Sequence, residues 1–494
     1  MKTSKESSLS AMNEPLHPAA RPNERVDHDS RPSNVRWQVF AVGCLTSWFL
    51  YVHRYVFGVL KPDLRDAYNL TSQDLGYLDA MFLVFYSAVQ LPAGILVDVI
   101  GAHLFLTTSI AIWSIGLCLH AAAPYLSLLY LGRILLGTGQ CAVFAALGWL
   151  TRRWYPAAIR TTVQGWIGVF FARFGGAVAN ILVATVLIGV LGLGWQYAVV
   201  LLAAAGIVLA FAFFIVVRDT PEKHPRVNRA ELALIGLGNT ENGPQEKIGF
   251  KQLITNASPA ALRSSLLLAV AASFSSVADQ IFSGWIPLFL SEAHQLNYKA
   301  MGIYASMPLI GGAIGGVVGG ILNDAIVRRI HRKWARRIMG ALGKGMAAVV
   351  LGIALFFTHQ PYLFCILLGV VKFFADISLA TRWGAVTDLG GRFTATMFSF
   401  INAFAVGVGI IGSIGYGYLV PEKPVVPSPI SAASLADSIT EQVQLDEEVR
   451  EQVIQENVRS WMPVLLVGFG CYILCSTCWL FVDCTQSIDG SNPE

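Results

Sequence analysis

The sequence predicts an all-α integral membrane protein, with twelve transmembrane helices arranged as two pseudo-symmetric six-helix bundles. Three observations predict it. Of the 494 residues, 54% are hydrophobic and only 13% charged, against roughly 25% charged in average soluble domains, and the mean hydropathy is +0.57. The apolar residues fall into runs of the length that spans a bilayer, about 20 residues each, with the charges gathered between them. The pentapeptide GILVD at Gly94 to Asp98 returns as GILND at Gly320 to Asp324, each closing an apolar run in opposite halves of the chain. Such a repeat points to internal duplication of a membrane bundle.

Residues 1–34 are polar and proline-rich, which predicts a disordered tail. The first apolar run is too long for a signal peptide and lacks a cleavage site, so it reads as a retained helix. Spans are expected at 37–59, 76–97, 104–122, 126–150, 161–186 and 196–217, then at 263–290, 300–323, 338–358, 361–387, 393–419 and 460–483. The polar stretch 218–262 divides six from six, giving an N-terminal bundle at 35–217 and a C-terminal bundle at 263–484, followed by a tail at 485–494. An insert at 421–459 carries acidic residues with apolar ones at helical spacing, which predicts a short helix with a solvated acidic face.

Lys and Arg set the orientation. Arg36, Arg152, Arg153, Arg160, Arg218 to Arg229 and the run Arg328 to Arg337 fall on one face if the spans alternate. The positive-inside rule makes that face cytoplasmic, with both termini on it and the 421–459 insert outside. The expected location is a bacterial inner membrane, although Asn69-Leu-Thr71 forms a glycosylation sequon in an external loop and leaves the host open. Cys471, Cys475 and Cys478 share a helix face and read as small packing residues rather than a metal or redox centre.

In the repeated pentapeptide a glycine lets two helices approach closely, and an aspartate at a helix mouth can pair with a neighbouring helix end or an arginine. Asp98, Asp324, Arg328 and Arg329 are therefore expected at a cytoplasmic gate that stabilises the state closed on that side.

An ionised group inside a membrane is a functional hypothesis by default. Arg54 and Arg133 lie within the first and fourth spans, Arg173 in the fifth, Asp279 in the seventh, and Lys372 with Asp376 in the tenth. A guanidinium in a low-dielectric cavity offers a planar fork to a carboxylate or phosphate. The alternative for Arg54 is a side chain snorkelling outward, and for Arg133 a structural pair with a carboxylate elsewhere. Asp376 follows Lys372 by one helical turn, which favours a neutralised pair.

Several motifs carry a family resemblance: Tyr86-x3-Gln90-x-Pro92-x-Gly94 with Asp98, Asp219-Thr-Pro-Glu-Lys-His224-Pro225 followed by Glu231, Trp285-x-Pro287-x-Phe289-Leu290, the Asp324 to Arg337 loop, and Trp383 to Asp388 leading to Asn402. With them the chain, from about Trp37 to the end of the twelfth span, resembles a major facilitator superfamily transporter, and within it the anion:cation symporter family of sialin and the hexuronate and galactonate permeases. That resemblance implies substrate contacts at Tyr51, Arg54, Arg133, Tyr86 and Asn402; Gln140, which departs from the family, can still hydrogen-bond a substrate, Trp383 offers a softer contact, and Trp285 with Pro287 is expected to shape an external gate. The resemblance also implies proton coupling by acids at two positions where this chain has His53 and Gln140. An amide does not titrate near neutral pH, which leaves His53, Asp279 and Asp376 as coupling candidates.

The resemblance and the buried cations imply alternating-access transport of a small organic anion, a sugar acid or other carboxylate, coupled to protons or sodium. A phosphate or sugar-phosphate carrier, an uncoupled facilitator and a non-transporting sensor stay open as alternatives. The fifth span, GWIGVFFARFGGAVAN, lacks the proline expected of drug antiporters. No nucleophile–base pair, phosphate-cradling loop or metal spacing suggests an enzyme. The expected partners are the anion, its coupling ion and the bilayer, with no cofactor, metal or nucleic acid, and the chain is expected to act as a monomer.

Overall fold

The computed structural model describes residues 31–122, 124–236, 258–391, 394–422 and 439–488. Twelve long helices dominate them. In chain order they are α1 (Val35–Tyr68), α2 (Ser72–Ile100), α3 (Ala102–Ala121), α4 (Leu126–Trp154), α5 (Thr162–Val190) and α6 (Trp195–Val216). The second half comprises α7 (Pro259–Glu292), α8 (Tyr298–Val327), α9 (Arg332–Phe357), α10 (Pro361–Gly390), α11 (Thr394–Leu419) and α12 (Met462–Phe481). Ten are long and apolar enough to cross a membrane, and α2 makes an eleventh if its bent segments count as one span. The first helix has the length, but His53 and Arg54 at its middle lower its hydropathy.

Local sequence explains the irregularities. Pro92 removes an amide donor from α2, and the segments Ser72–Gln90 and Pro92–Ile100 meet at 50°. Thr71 and Asp74 form a reciprocal capping box at its start. Wide π turns interrupt α5 at Trp166–Phe170 and Ile181–Val190, and α7 at Ile281–Trp285. These turns flank Arg173 and Asp279, and such bulges often mark functional positions.

The two halves meet along α2 with α11, α5 with α8, and α1 with α7. Close approach requires small residues: a Cβ on Gly76 would lie 2.8 Å from the Ser413 carbonyl oxygen and 2.9 Å from the Gly417 Cα. At this end of the molecule, Arg65 pairs with Glu292 at 2.6 Å, the Tyr77 and Tyr418 hydroxyls meet at 2.8 Å, and the Ser72 hydroxyl donates to the Pro421 carbonyl at 2.7 Å. Tyr298 donates to Asp63 beside them, and Lys61 sits 3.3 Å over the Trp285 ring, which is buried at the same end.

The opposite end differs from the expectation drawn from the repeated pentapeptide. Gly94 and Gly320 face open space, with nothing within 4 Å of a Cβ placed on either. No close helix contact is made there in this conformation. Asp98, Asp324, Arg328 and Arg329 are all exposed and form no ion pair among the described residues. The ion pair and hydrogen bonds that join the halves lie instead at the Arg65 end.

The described part of the inter-bundle linker is anchored to the N-terminal half. Glu231, fully buried, accepts from the amides of Val35 and Arg36, each at 3.0 Å, and from the Ser33 hydroxyl. It thereby supplies the cap that Asn34 does not give to α1. Asp219 does the same for α3, accepting from the His103 amide at 2.9 Å. The insert contains a helix at Ile439–Ser460, longer than the short one expected. The N-terminal tail through residue 30, linker residues 237–257 and insert residues 423–438 lie outside the described residues.

Candidate functional site

A cavity of about 300 Å³ lies between the halves at mid-depth, walled by α1, α2, α4, α5, α7, α10 and α11. A larger groove of about 760 Å³ runs between α9 and α12, but its lining is apolar and faces outward. Charged side chains line the central cavity and the small pocket of about 40 Å³ beside it.

Arg54 belongs to its wall rather than to the surface, so the snorkelling alternative does not hold. Its guanidinium carbon stands 5.2 Å from the Tyr51 ring centroid, 5.2 Å from Phe82 and 5.1 Å from Tyr86. These three faces stabilise a cation by about 0.5–2 kcal/mol each. Its Nε donates to Gln140 Oε1 at 3.0 Å, and Gln140 in turn donates to the Leu50 carbonyl at 3.2 Å. One terminal nitrogen, Nη2, is buried without a hydrogen-bond acceptor. No carboxylate pairs with Arg54 among the described residues. Gln140 is fully buried behind it and positions it.

Arg133 takes the structural alternative. It pairs with Asp79 at 3.1 Å, donates to the Leu78 carbonyl at 2.9 Å, and stacks 4.0 Å from the Phe57 centroid. Asp79 also accepts from Lys61 at 2.7 Å. The Arg133 charge is therefore shared within the N-terminal half.

A second charge network bridges the halves. Lys372 donates to Asp279 at 2.6 Å and to Asp376 at 3.0 Å, and Arg173 reaches Asp376 at 3.4 Å from α5. The expected Lys372–Asp376 pair thus exists, and Arg173 answers Asp376 while Lys372 answers Asp279. Gly312 permits this crowding, since any Cβ there would lie 2.6 Å from Asp376 Oδ2.

Two expected site residues, His53 and Trp383, sit elsewhere. His53, fully buried, turns away from the cavity toward α3 and α6, where a Cβ on Gly206 would strike its ring. Adjacent helix residues point about 100° apart, so placing Arg54 in the cavity places His53 outside it. Trp383 stacks on Phe398 at 4.3 Å and lines a small side pocket with Asn402 and Arg382. Tyr86 contributes its ring face to Arg54, and Asn402 lines both the side pocket and the cavity.

Residues not anticipated from the sequence complete the wall: Asp79, Gln280 and Arg382, with Lys344 in an adjoining pocket of about 40 Å³. Gln280 donates to the Gly409 carbonyl at 2.7 Å and accepts from Ser413 at 2.6 Å. Each is a polar residue within an apolar run, and that is the signal by which it could be found.

A charged cavity enclosed by two helical halves, inside an apolar shell, defines a membrane transporter. Residues 43–413 match the sequence profile of the Major Facilitator Superfamily, and the chain belongs to that superfamily, as its motifs imply. It is 29% identical over 391 residues to a probable sulfoacetate transporter of Cupriavidus necator, covering 78% of this chain and 87% of that one. A probable galactarate/D-glucarate transporter of Bacillus subtilis is 27% identical over 79% of this chain and 87% of its own length. Among solved structures, a bacterial homologue of the lysosomal transporter Spinster, inward-facing and unoccupied, superposes with a TM-score of 0.66 at 17% identity, covering 93% of this chain and 99% of that one. These relatives are transporters and not enzymes.

Proposed function

We propose that the protein carries a small organic anion across a bacterial inner membrane by alternating access, with Arg54 as the group that holds the anion. The observation that carries this reading is the Arg54 guanidinium, caged by aromatic rings, lining a cavity of about 300 Å³ and lacking a carboxylate partner among the described residues. A cation kept unpaired in a low-dielectric site calls for an anion, and an arginine fork suits a carboxylate or sulfonate. The named substrates of the two relatives, sulfoacetate and galactarate or D-glucarate, are small organic anions of this kind.

In this reading Asp98, Asp324, Arg328 and Arg329 form the cytoplasmic gate, the basic face and both termini are cytoplasmic, and the conformation described is closed outside by the Arg65–Glu292 end. The two bundles rock about the cavity, and the linker anchored by Glu231 joins them on the cytoplasmic side. The protein works as a monomer. Proton coupling, where present, falls to Asp279 and Asp376, because His53 faces away from the cavity. A specific observation also favours an uncoupled facilitator: the partner of Arg54 is the amide of Gln140, which does not titrate. Uptake into proteoliposomes with and without an inward proton gradient decides between them. Accumulation above equilibrium means symport, and equilibration that ignores proton and sodium gradients means facilitated diffusion.

A further inference from the structure

The cavity has a cation on its far wall, Arg382, and a second in the adjoining pocket, Lys344, that Arg54 does not account for. Lys344 of α9 is 5% exposed, and its ammonium donates to the Ser275 hydroxyl at 2.8 Å. Arg382 of α10 lines the central cavity and also the adjoining pocket that holds Lys344 and Ser275. No carboxylate pairs with either among the described residues.

The acids in the same pocket are already engaged. Asp279 is held by Lys372 at 2.6 Å, and Asp376 by Lys372 at 3.0 Å and Arg173 at 3.4 Å. Arg173, Lys344, Lys372 and Arg382 thus face Asp279 and Asp376, and the positive excess rests on Lys344 and Arg382. Burying an ammonium without a counter-charge is unfavourable by several kcal/mol. A fold that keeps one beside a cavity has a use for an anion there.

These cations belong to the C-terminal half, whereas Arg54 belongs to the N-terminal half, and both Arg54 and Arg382 border one cavity. We infer that Arg382 and Lys344 form a second anion subsite, so that the preferred solute is a short organic dianion with an acid group at each end. This inference rests on the anion-transport reading above. One acid group lies against Arg54 in its aromatic cage, and the other against Arg382 and Lys344. The cavity of about 300 Å³ stands at the low end of ligand-site volumes, which suits a molecule of a few carbons. A solute with one acid group leaves the far wall unneutralised. A dianion bridges both bundles, so its binding energy is available to draw them together, which is the differential contact that closure requires.

The test uses the full chain in proteoliposomes, with labelled acids matched in size: a six-carbon aldaric acid against its aldonic acid, and sulfoacetate against 2-hydroxyethanesulfonate. In the wild type, initial uptake of a dianion exceeds that of its matched monoanion by about tenfold or more, the discrimination expected when a buried polar site is left unpaired. In Arg382→Gln and Lys344→Gln the dianion-to-monoanion ratio falls toward one, while Lys344→Arg retains it. A general packing defect would lower both rates together and leave the ratio unchanged, which would overturn the assignment. Equal wild-type uptake of dianion and monoanion would also overturn it, and that measurement needs no variant to fold. No uptake of any acid would instead remove the anion-transport reading, and this inference with it.

Discussion

Arg54 donates its Nε to Gln140 Oε1 at 3.0 Å, so a guanidinium inside the membrane is oriented by an amide and not by an acid. The amide fixes the side chain without neutralising it. Its own NH2 is anchored on the Leu50 carbonyl one turn before Arg54. The full charge is left for whatever enters the cavity.

Gln140→Glu therefore introduces a competitor for the substrate. The new carboxylate pairs with Arg54, and at neutral pH anion uptake falls by about tenfold through a higher KM. A carboxylate beside a guanidinium must be protonated to release it, so uptake recovers as pH is lowered. A carboxylate paired with a guanidinium titrates below the ordinary carboxylate range, so initial rates of wild type and variant from neutral pH down to about pH 3 check this. Parallel profiles would contradict it.

The Arg173–Asp376 pair joins α5 to α10 across the halves. Removing one partner of a buried pair leaves an uncompensated charge and is destabilising by about 3–5 kcal/mol. Asp376→Asn and Arg173→Gln are each expected to lower thermal stability in detergent, and the double variant to lose less than their sum. The coupling expected for contacting charges is about 0.5–3 kcal/mol. Additive losses would show that the pair does not hold the halves together.

Glu231 anchors the linker from outside the membrane. Burial pushes its carboxyl up, but the Ser33 hydroxyl, the Arg36 and Val35 amides and the Arg36 guanidinium outweigh burial and hold it below its ordinary value of 4.5. A depressed carboxyl contributes stability that is fully present above the unfolded value and is lost as pH falls through the folded one. Glu231→Gln is expected to lower stability by about 1 kcal/mol near neutral pH, with the difference from wild type vanishing in acid. Melting temperatures of both proteins from neutral pH down to about pH 3 measure it. A difference that stays constant with pH would assign the effect to packing.

The spans are legible in the sequence because apolar length and charge placement follow directly from the bilayer, and Arg54, Arg133 and Arg173 stand out as charges within those runs. The pairings are not legible. Arg133 meets Asp79 and Lys372 meets Asp279 across 54 and 93 residues of chain, and which way each helix is rotated decides the partner. His53 shows the same limit, since a residue adjacent to Arg54 faces another helix pair altogether. Lys344 and Arg382 escape notice because the first lies near the basic loop and the second near the end of α10, where a cation reads as solvated. The glycines of the repeated pentapeptide are recognisable, but the structure makes no close contact at either of them.

The central claim is that Arg54 holds a transported anion, and uptake by purified wild type and Arg54→Gln in proteoliposomes tests it most directly. The panel is labelled sugar acids, dicarboxylates and sulfoacetate, with reconstitution efficiency and melting temperature measured for both proteins. The account predicts uptake of at least one organic anion by the wild type and a loss of about a hundredfold or more in the variant, at unchanged reconstitution. Uptake by Arg54→Gln at the wild-type rate would contradict it.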